Sequence, residues 1–146
     1  MSLDEDRTSG GLPPKGAIAA VGVDIVGVDE VREALSRFGD RYLRRVFTDH
    51  EIASSTRQGE VKASELAARF AAKEAAIKAL RPCDRAPAWR SIEVRRHDAG
   101  TCTLQLTGHA ADLAGRARLC GLTLSLAQAG DQVVAVVFAL EPSGLT

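Results

Sequence analysis

Residues 69–80 read RFAAKEAAIKAL, and the fold turns on what this stretch is. Ala, Leu, Lys and Glu are good helix formers. Yet twelve residues carry three bases, Arg69, Lys73 and Lys78, and one acid, Glu74. Glu74 and Lys78 are four apart with the acid first, the favourable order for an exposed pair of about 0.2–0.5 kcal/mol. Arg69 and Lys73 have the same spacing and like charge, which costs a similar amount. Ala67, Ala68, Ala71, Ala72, Ala75 and Ala76 flank these charges. Small residues let another element or a ligand come close, and a row of bases beside them suits a polyphosphate. The helix is therefore either a solvated charged face or the holder of an anion and a metal.

Working outward, Pro82 ends this helix, because proline lacks an amide donor and clashes with the preceding turn. The helix is expected over roughly 65–80, after a loop at 57–64. Thr48 and Glu51 have capping-box spacing and start a short helix. Tyr42, Leu43, Val46 and Phe47 suggest another, and Val28, Val31, Leu35 and Phe38 form a helical stripe before it. Residues 17–26, AIAAVGVDIV, read as a buried strand whose one charge is Asp24. A buried carboxylate is costly unless it is paired, here with an arginine at the core edge, or binds a metal. Convergence of Asp24 with Glu74 would give two hard oxygen donors of the kind that hold Mg²⁺ with the help of substrate phosphates.

Downstream, 89–96 and 101–107 alternate as two strands of a hairpin turning at 98–100. Residues 110–119 are helical, with Gly121 as terminator. Strands at 122–127 and 132–140 are joined by a turn at 129–131. The last, QVVAVVFAL, is too apolar for a free edge. The result is an α+β fold with an antiparallel sheet and packed helices. The polar, Gly- and Pro-containing residues 1–16 read as a flexible leader, and 17–142 as a single domain.

Composition narrows the function. The chain has 146 residues and no net formal charge, with a pI near 6.8. It lacks the basic field that nonspecific nucleic-acid binding needs. No apolar run approaches the roughly 20 residues of a membrane span. The three cysteines, Cys83, Cys102 and Cys120, are scattered, with no CxxC, and point to a reduced, cytoplasmic protein. His50, His97 and His109 show no ligand spacing, and none is assigned a role.

Four segments taken together, VGVDIV (21–26), RVFTDHEI (45–52), LAARFAAKEAAIKAL (66–80) and SLAQAGDQVVAVV (125–137), carry a resemblance. In order and spacing they resemble the holo-acyl-carrier-protein synthase branch of the 4′-phosphopantetheinyl transferases, over about 18–141. That resemblance implies an α+β homotrimer with active sites between subunits. It also implies transfer of the phosphopantetheine arm of coenzyme A to a serine of an acyl carrier protein, leaving adenosine 3′,5′-bisphosphate. By position, Asp24 and Glu74 would bind Mg²⁺ and Lys78 would neutralise the diphosphate. Arg69 and Lys73 would line the coenzyme A site. The serine needs a proton acceptor, for which Glu74 or water on the metal is the candidate. Acyl carrier proteins are acidic, and Arg37, Arg41, Arg44 and Arg45 form a basic stretch that would meet one, or only a solvated face.

Three places depart from the family pattern. Gln128 stands where the family has a histidine near coenzyme A phosphate, and glutamine cannot titrate. Arg81-Pro82-Cys83 replaces a Gly-rich turn near the nucleotide, although Arg81 brings a charge of its own. Gly27 and Glu30 replace an acidic and a basic residue after the first strand, and Asp29 with Glu30 would repel an acidic partner. These departures leave two further readings open: a carrier-protein or coenzyme A scaffold without transfer, and the same trimer turned to another reaction.

Overall fold

The structure, a computed structural model, describes residues 16–98 and 100–143. The leader expected at 1–16 therefore lies, apart from Gly16, outside the described residues, as does Ala99 of the hairpin turn.

The chain begins with strand β1 (Ala17–Gly27) and continues through helices α1 (Val28–Phe38), α2 (Asp40–Val46) and α3 (Asp49–Ser54). A small hairpin, β2 (Thr56–Arg57) and β3 (Glu60–Val61), leads into the long helix α4 (Ala63–Leu80). Next come a 3₁₀ turn (Trp89–Ser91), hairpin β4 (Ile92–Arg96) and β5 (Cys102–Leu106), helix α5 (Gly108–Arg116), and strands β6 (Gly121–Ala129) and β7 (Gln132–Glu141). The main sheet is antiparallel in the order β1-β7-β6. The apolar last strand is thus the central one, bonded on both sides.

Helix α4 lies against the inner face of this sheet, and the alanines explain how. Ala67, Ala71, Ala72, Ala75 and Ala76 are fully buried. Opposite them a Cβ on Gly22 would come within 1.8 Å of the Ala75 carbonyl oxygen. Only glycine permits that approach. The small residues therefore admit another element rather than a ligand. They bring β1 close enough that Asp24, two residues on and on the same face, reaches the helix.

Several local expectations need correction. Strand β1 is buried on one face only: it is a sheet edge, with Gly22 and Val26 buried toward the helix while Val21, Val23 and Ile25 are 49, 47 and 61% exposed. Both of its faces are apolar, so alternation could not distinguish the face on α4 from the open one. The loop at 57–64 holds a tight hairpin, with Gln58 (φ 53°) and Gly59 (φ 76°) at its turn, the conformation that suits two-residue hairpins. Helix α4 consequently starts at Ala63. Residues 89–91 wind into a 3₁₀ turn, closed by the Ser91 amide on the Ala88 carbonyl at 3.0 Å. Helix α5 ends at Arg116, and the left-handed residue after it is Arg118 (φ 56°), not Gly121.

Thr48 does start α3. Its Oγ1 accepts the Glu51 amide at 3.2 Å, and Glu51 Oε1 accepts the Thr48 amide at 2.9 Å, a reciprocal capping box. Helix α1 has no side-chain cap of its own. Asp131, in the β6–β7 turn, supplies one: its carbonyl accepts the Val28 amide at 2.8 Å and its carboxylate the Asp29 amide at 3.2 Å.

Candidate active site

The structure brings Asp24, Glu74 and Lys78 together. Lys78 Nζ lies 2.9 Å from Asp24 Oδ1 and donates to the Val23 carbonyl at 2.9 Å. Asp24 has its counter-ion, a lysine rather than an arginine, and Lys78 pairs with Asp24 rather than with Glu74 one turn away. The Asp24 side chain is 18% exposed and that of Lys78 52%, so the pair sits at the surface with the lysine in contact with solvent. Burial holds the Glu74 carboxyl above the usual carboxylate range. The negative charge of Asp24 raises it further, and Lys78 opposes. Two carboxylates repelling across the gap between a strand and a helix fit a hard cation. Two is also the number that Mg²⁺ takes when phosphate oxygens and water complete its shell. Among the described residues no set of three or more His, Cys, Asp or Glu forms a full protein cage.

Arg69 and Lys73 lie elsewhere on α4. At 3.6 residues per turn Arg69 stands about 140° around the helix from Glu74. The like-charge cost expected of the two bases is removed, because each has its own carboxylate. Arg69 Nη1 bonds Glu65 Oε2 at 2.9 Å and Lys73 Nζ bonds Glu51 Oε1 at 2.7 Å. Lys73 corrects the sequence reading. It is fully buried, and its three protons go to Glu51, to the Trp89 carbonyl at 2.9 Å and to the Ile92 carbonyl at 2.7 Å. None is left for a coenzyme phosphate. Burial pushes the ammonium below the usual lysine range, and the Glu51 charge opposes that.

Arg69 is 4% exposed and lines a cleft of about 330 Å³ with Gln128. The two residues are thus brought together, apart from the Asp24–Glu74–Lys78 group. Gln128 donates to the Gly130 carbonyl at 3.2 Å within its own hairpin. Arg81 caps α4 in the left-handed conformation (φ 52°, ψ 57°) that glycine usually fills. Arg37, Arg41, Arg44 and Arg45 are all exposed on α1 and α2. Arg41 and Arg45 flank a shallow cleft with Tyr42 and Phe38, the latter 56% exposed. Asp29 and Glu30 sit in the first turn of α1, where acids complement the helix dipole.

The sequence reading missed Glu65, Arg96 and the pairing of Glu51 with Lys73. The four-residue spacing of Glu65 to Arg69 could have revealed the first. Arg96 is distant in the chain and carried no signal.

Comparison with known proteins places the chain in a family and agrees with the fold. Residues 20–137 match the 4′-phosphopantetheinyl transferase superfamily. The chain is 40% identical over 126 residues to a holo-[acyl-carrier-protein] synthase of Desulforudis audaxviator, covering 86% of this chain and 95% of the relative. The fold resembles that of the holo-[acyl-carrier-protein] synthase of Neisseria meningitidis, with a TM-score of 0.75 at 27% identity over 86% of this chain and all of the other. It also resembles the Chronobacterium ammoniagenes ACPS–CoA complex, with a TM-score of 0.70 at 32% identity over 84% of this chain and 96% of the other. The match to the family over residues 20–137 and the 40% identity along most of the chain make it a phosphopantetheinyl transferase of the holo-acyl-carrier-protein synthase type and a member of the 4′-phosphopantetheinyl transferase superfamily.

Proposed function

We propose that the chain moves the 4′-phosphopantetheine arm of coenzyme A onto a serine of an acyl carrier protein, with Asp24 and Glu74 holding Mg²⁺. The observation that carries this reading is the meeting of Asp24 and Lys78 at 2.9 Å beside Glu74. The serine oxygen attacks the phosphorus that bears the pantetheine arm. The bond from that phosphorus to the bridging oxygen breaks, and adenosine 3′,5′-bisphosphate leaves with the electron pair. Such transfers are catalysed mainly by positioning and charge stabilisation. Bound between the carboxylates, Mg²⁺ would supply Lewis-acid stabilisation of the diphosphate oxygens. Lys78, half exposed, turns from Asp24 to the diphosphate and offsets the charge on the leaving group. Glu74 is the candidate acceptor for the serine proton. Arg81, close to Lys78 at the end of α4, faces the same coenzyme.

The basic, Phe38-centred face of α1 and α2 suits an acidic carrier protein, with Arg37, Arg41, Arg44 and Arg45 steering the encounter. A homotrimer accords with two features. The outer sheet face carries Val21, Val23 and Ile25 beside Phe138, Val136 and Val134, a continuous apolar patch of the kind that monomers rarely leave open. In addition, the Arg69–Gln128 cleft and the Asp24–Glu74–Lys78 group lie on different sides of α4, so a coenzyme touching both would span two copies. No helix among the described residues is long and apolar enough to cross a membrane, and Cys83, Cys102 and Cys120 form no disulfide with one another. Both accord with a cytoplasmic enzyme.

Gln128, where the family pattern has a histidine, favours a second reading: a coenzyme A or carrier-protein binder without transfer. Intact-mass spectrometry separates the two. Apo acyl carrier proteins are incubated with the protein, coenzyme A and Mg²⁺, with Glu74→Gln as control. Gain of the phosphopantetheine mass with wild type alone is the expected result. No gain across a panel that a known transferase modifies would leave the binder.

A further inference from the structure

The Arg69 cleft is lined by one carboxylate, Glu65, and two arginines, Arg69 and Arg96. Glu65 Oε2 accepts Arg69 Nη1 at 2.9 Å and Arg96 Nη1 at 3.3 Å, and its Oε1 accepts Arg96 Nη1 at 3.2 Å. Arg57 adds its field from the β2–β3 hairpin. Together these guanidinium groups outweigh burial and hold the Glu65 carboxyl below the usual range. Three positive charges thus surround one negative, leaving an excess that attracts an anion. Arg69 is 4% exposed, and its Nε is buried with no partner. A guanidinium in that position has an unmet hydrogen bond, since Glu65 bonds Nη1 and not Nε. Its remaining donors reach the Glu65 carbonyl at 3.1 Å and Ser54 Oγ at 3.2 Å.

We propose that Glu65 is the specificity-determining residue of this cleft: it stands where a phosphate monoester would sit between Arg69 and Arg96, and it must release Arg96 when one binds. The geometry says which bond gives way. Arg69 is buried and holds Glu65 through one short bond. Arg96 is half exposed and holds Glu65 through two longer bonds. A phosphate monoester carries nearly two charges and three acceptor oxygens, so it competes well for Arg96 and Arg69 Nε. The retained carboxylate repels it at close range. Glu65 therefore weakens the cleft for a phosphate monoester more than for a ligand without one.

Coenzyme A carries such a monoester on its ribose, separate from its diphosphate. That source rests on the transferase reading; the site itself does not, since inorganic phosphate has the same chemistry. Equilibrium binding separates the sources. The probes are adenosine 3′,5′-bisphosphate, adenosine 5′-monophosphate and inorganic phosphate, on the full chain as wild type, Glu65→Gln, Arg96→Gln and the double variant. Wild type is expected to prefer the bisphosphate to the monophosphate by about threefold or less. Glu65→Gln is expected to raise that preference about tenfold, the size of one added charge-assisted contact. In the double variant the gain disappears. Arg96 is a surface residue, so Arg96→Gln reads the cleft without putting the fold at risk. A preference unchanged or lowered by Glu65→Gln overturns the proposal. So does failure of all three probes to bind any variant. Binding of inorganic phosphate alone, strengthened by Glu65→Gln, keeps the role of Glu65 while removing the coenzyme as its source.

Discussion

Glu51 and Lys73 meet at 2.7 Å with neither side chain reaching solvent. Glu51 also accepts the Val94 amide at 2.8 Å, so one carboxylate ties the start of α3 and strand β4 to the middle of α4. Removing one partner of a buried pair leaves the other charge uncompensated, at a cost of about 3–5 kcal/mol. Lys73→Met is expected to lose that much in urea unfolding. Because the lysine protons are all spent inside the core, coenzyme A affinity of the folded variant is expected to stay within about twofold of wild type. A large loss of affinity with stability intact would return Lys73 to the coenzyme site.

The carboxyl of Glu74 gives a pH prediction. Its folded pKa is raised, by burial first and by Asp24 second. A carboxyl raised on folding holds its proton more tightly in the native state. Its favourable contribution is full below the unfolded value and is lost as pH rises through the folded one. At pH 8 the ionised Glu74 therefore costs stability, and Glu74→Gln is expected to melt higher than wild type. The gap should close as the pH falls toward 4. Added Mg²⁺ is expected to raise the melting temperature of wild type and not of the variant. A variant less stable than wild type at pH 8 would mean that the carboxylate makes a stabilising contact in the folded protein.

These cases show where sequence reasoning reached and where it stopped. The long helix and the Thr48–Glu51 capping box rest on local spacing, which the chain itself displays, whereas Asp24 is fifty residues from Glu74 and joined the Glu74–Lys78 set only through the resemblance of four separate segments to a family. Lys73 is different. Its partners come from α3, the 3₁₀ turn and β4, and nothing in a helical pattern tells a lysine facing carbonyls from one facing water. Arg96 reaches Glu65 only because the β4–β5 hairpin folds over the start of α4. The open face of β1 was hidden for a third reason: an apolar residue reads the same whether it packs within its own chain or against another.

Arg81 is expected to separate stability from binding. It holds a left-handed conformation that costs a residue with a Cβ about 1–2 kcal/mol relative to glycine, partly offset by the extra freedom glycine brings to the unfolded chain. Arg81→Gly is therefore expected to gain about 0.5–1 kcal/mol in thermal unfolding. If the guanidinium helps to neutralise the diphosphate, the same variant binds coenzyme A more weakly, by about three- to tenfold. A variant that is more stable and binds equally well would remove Arg81 from the coenzyme site.

The outer face of the sheet yields the last prediction. Val23, 47% exposed, pairs directly with Val136 on β7, and Val21 and Ile25 flank it on the same face. In a single copy this patch stays in water, at a cost of about 25 cal/mol for each Å² of apolar area left exposed. Packing against another copy would recover that energy without any change within the chain. Val23→Asp places a charge at the centre of the patch, where a packed interface would have to desolvate it. Wild type is expected to sediment as a trimer and Val23→Asp as a monomer, with the far-ultraviolet circular dichroism of the two unchanged. Transfer activity should fall with the trimer, since the Arg69 cleft and the Asp24–Glu74–Lys78 group then belong to separate molecules. A monomeric wild type, or a monomeric variant with full activity, would show that one chain forms the whole site.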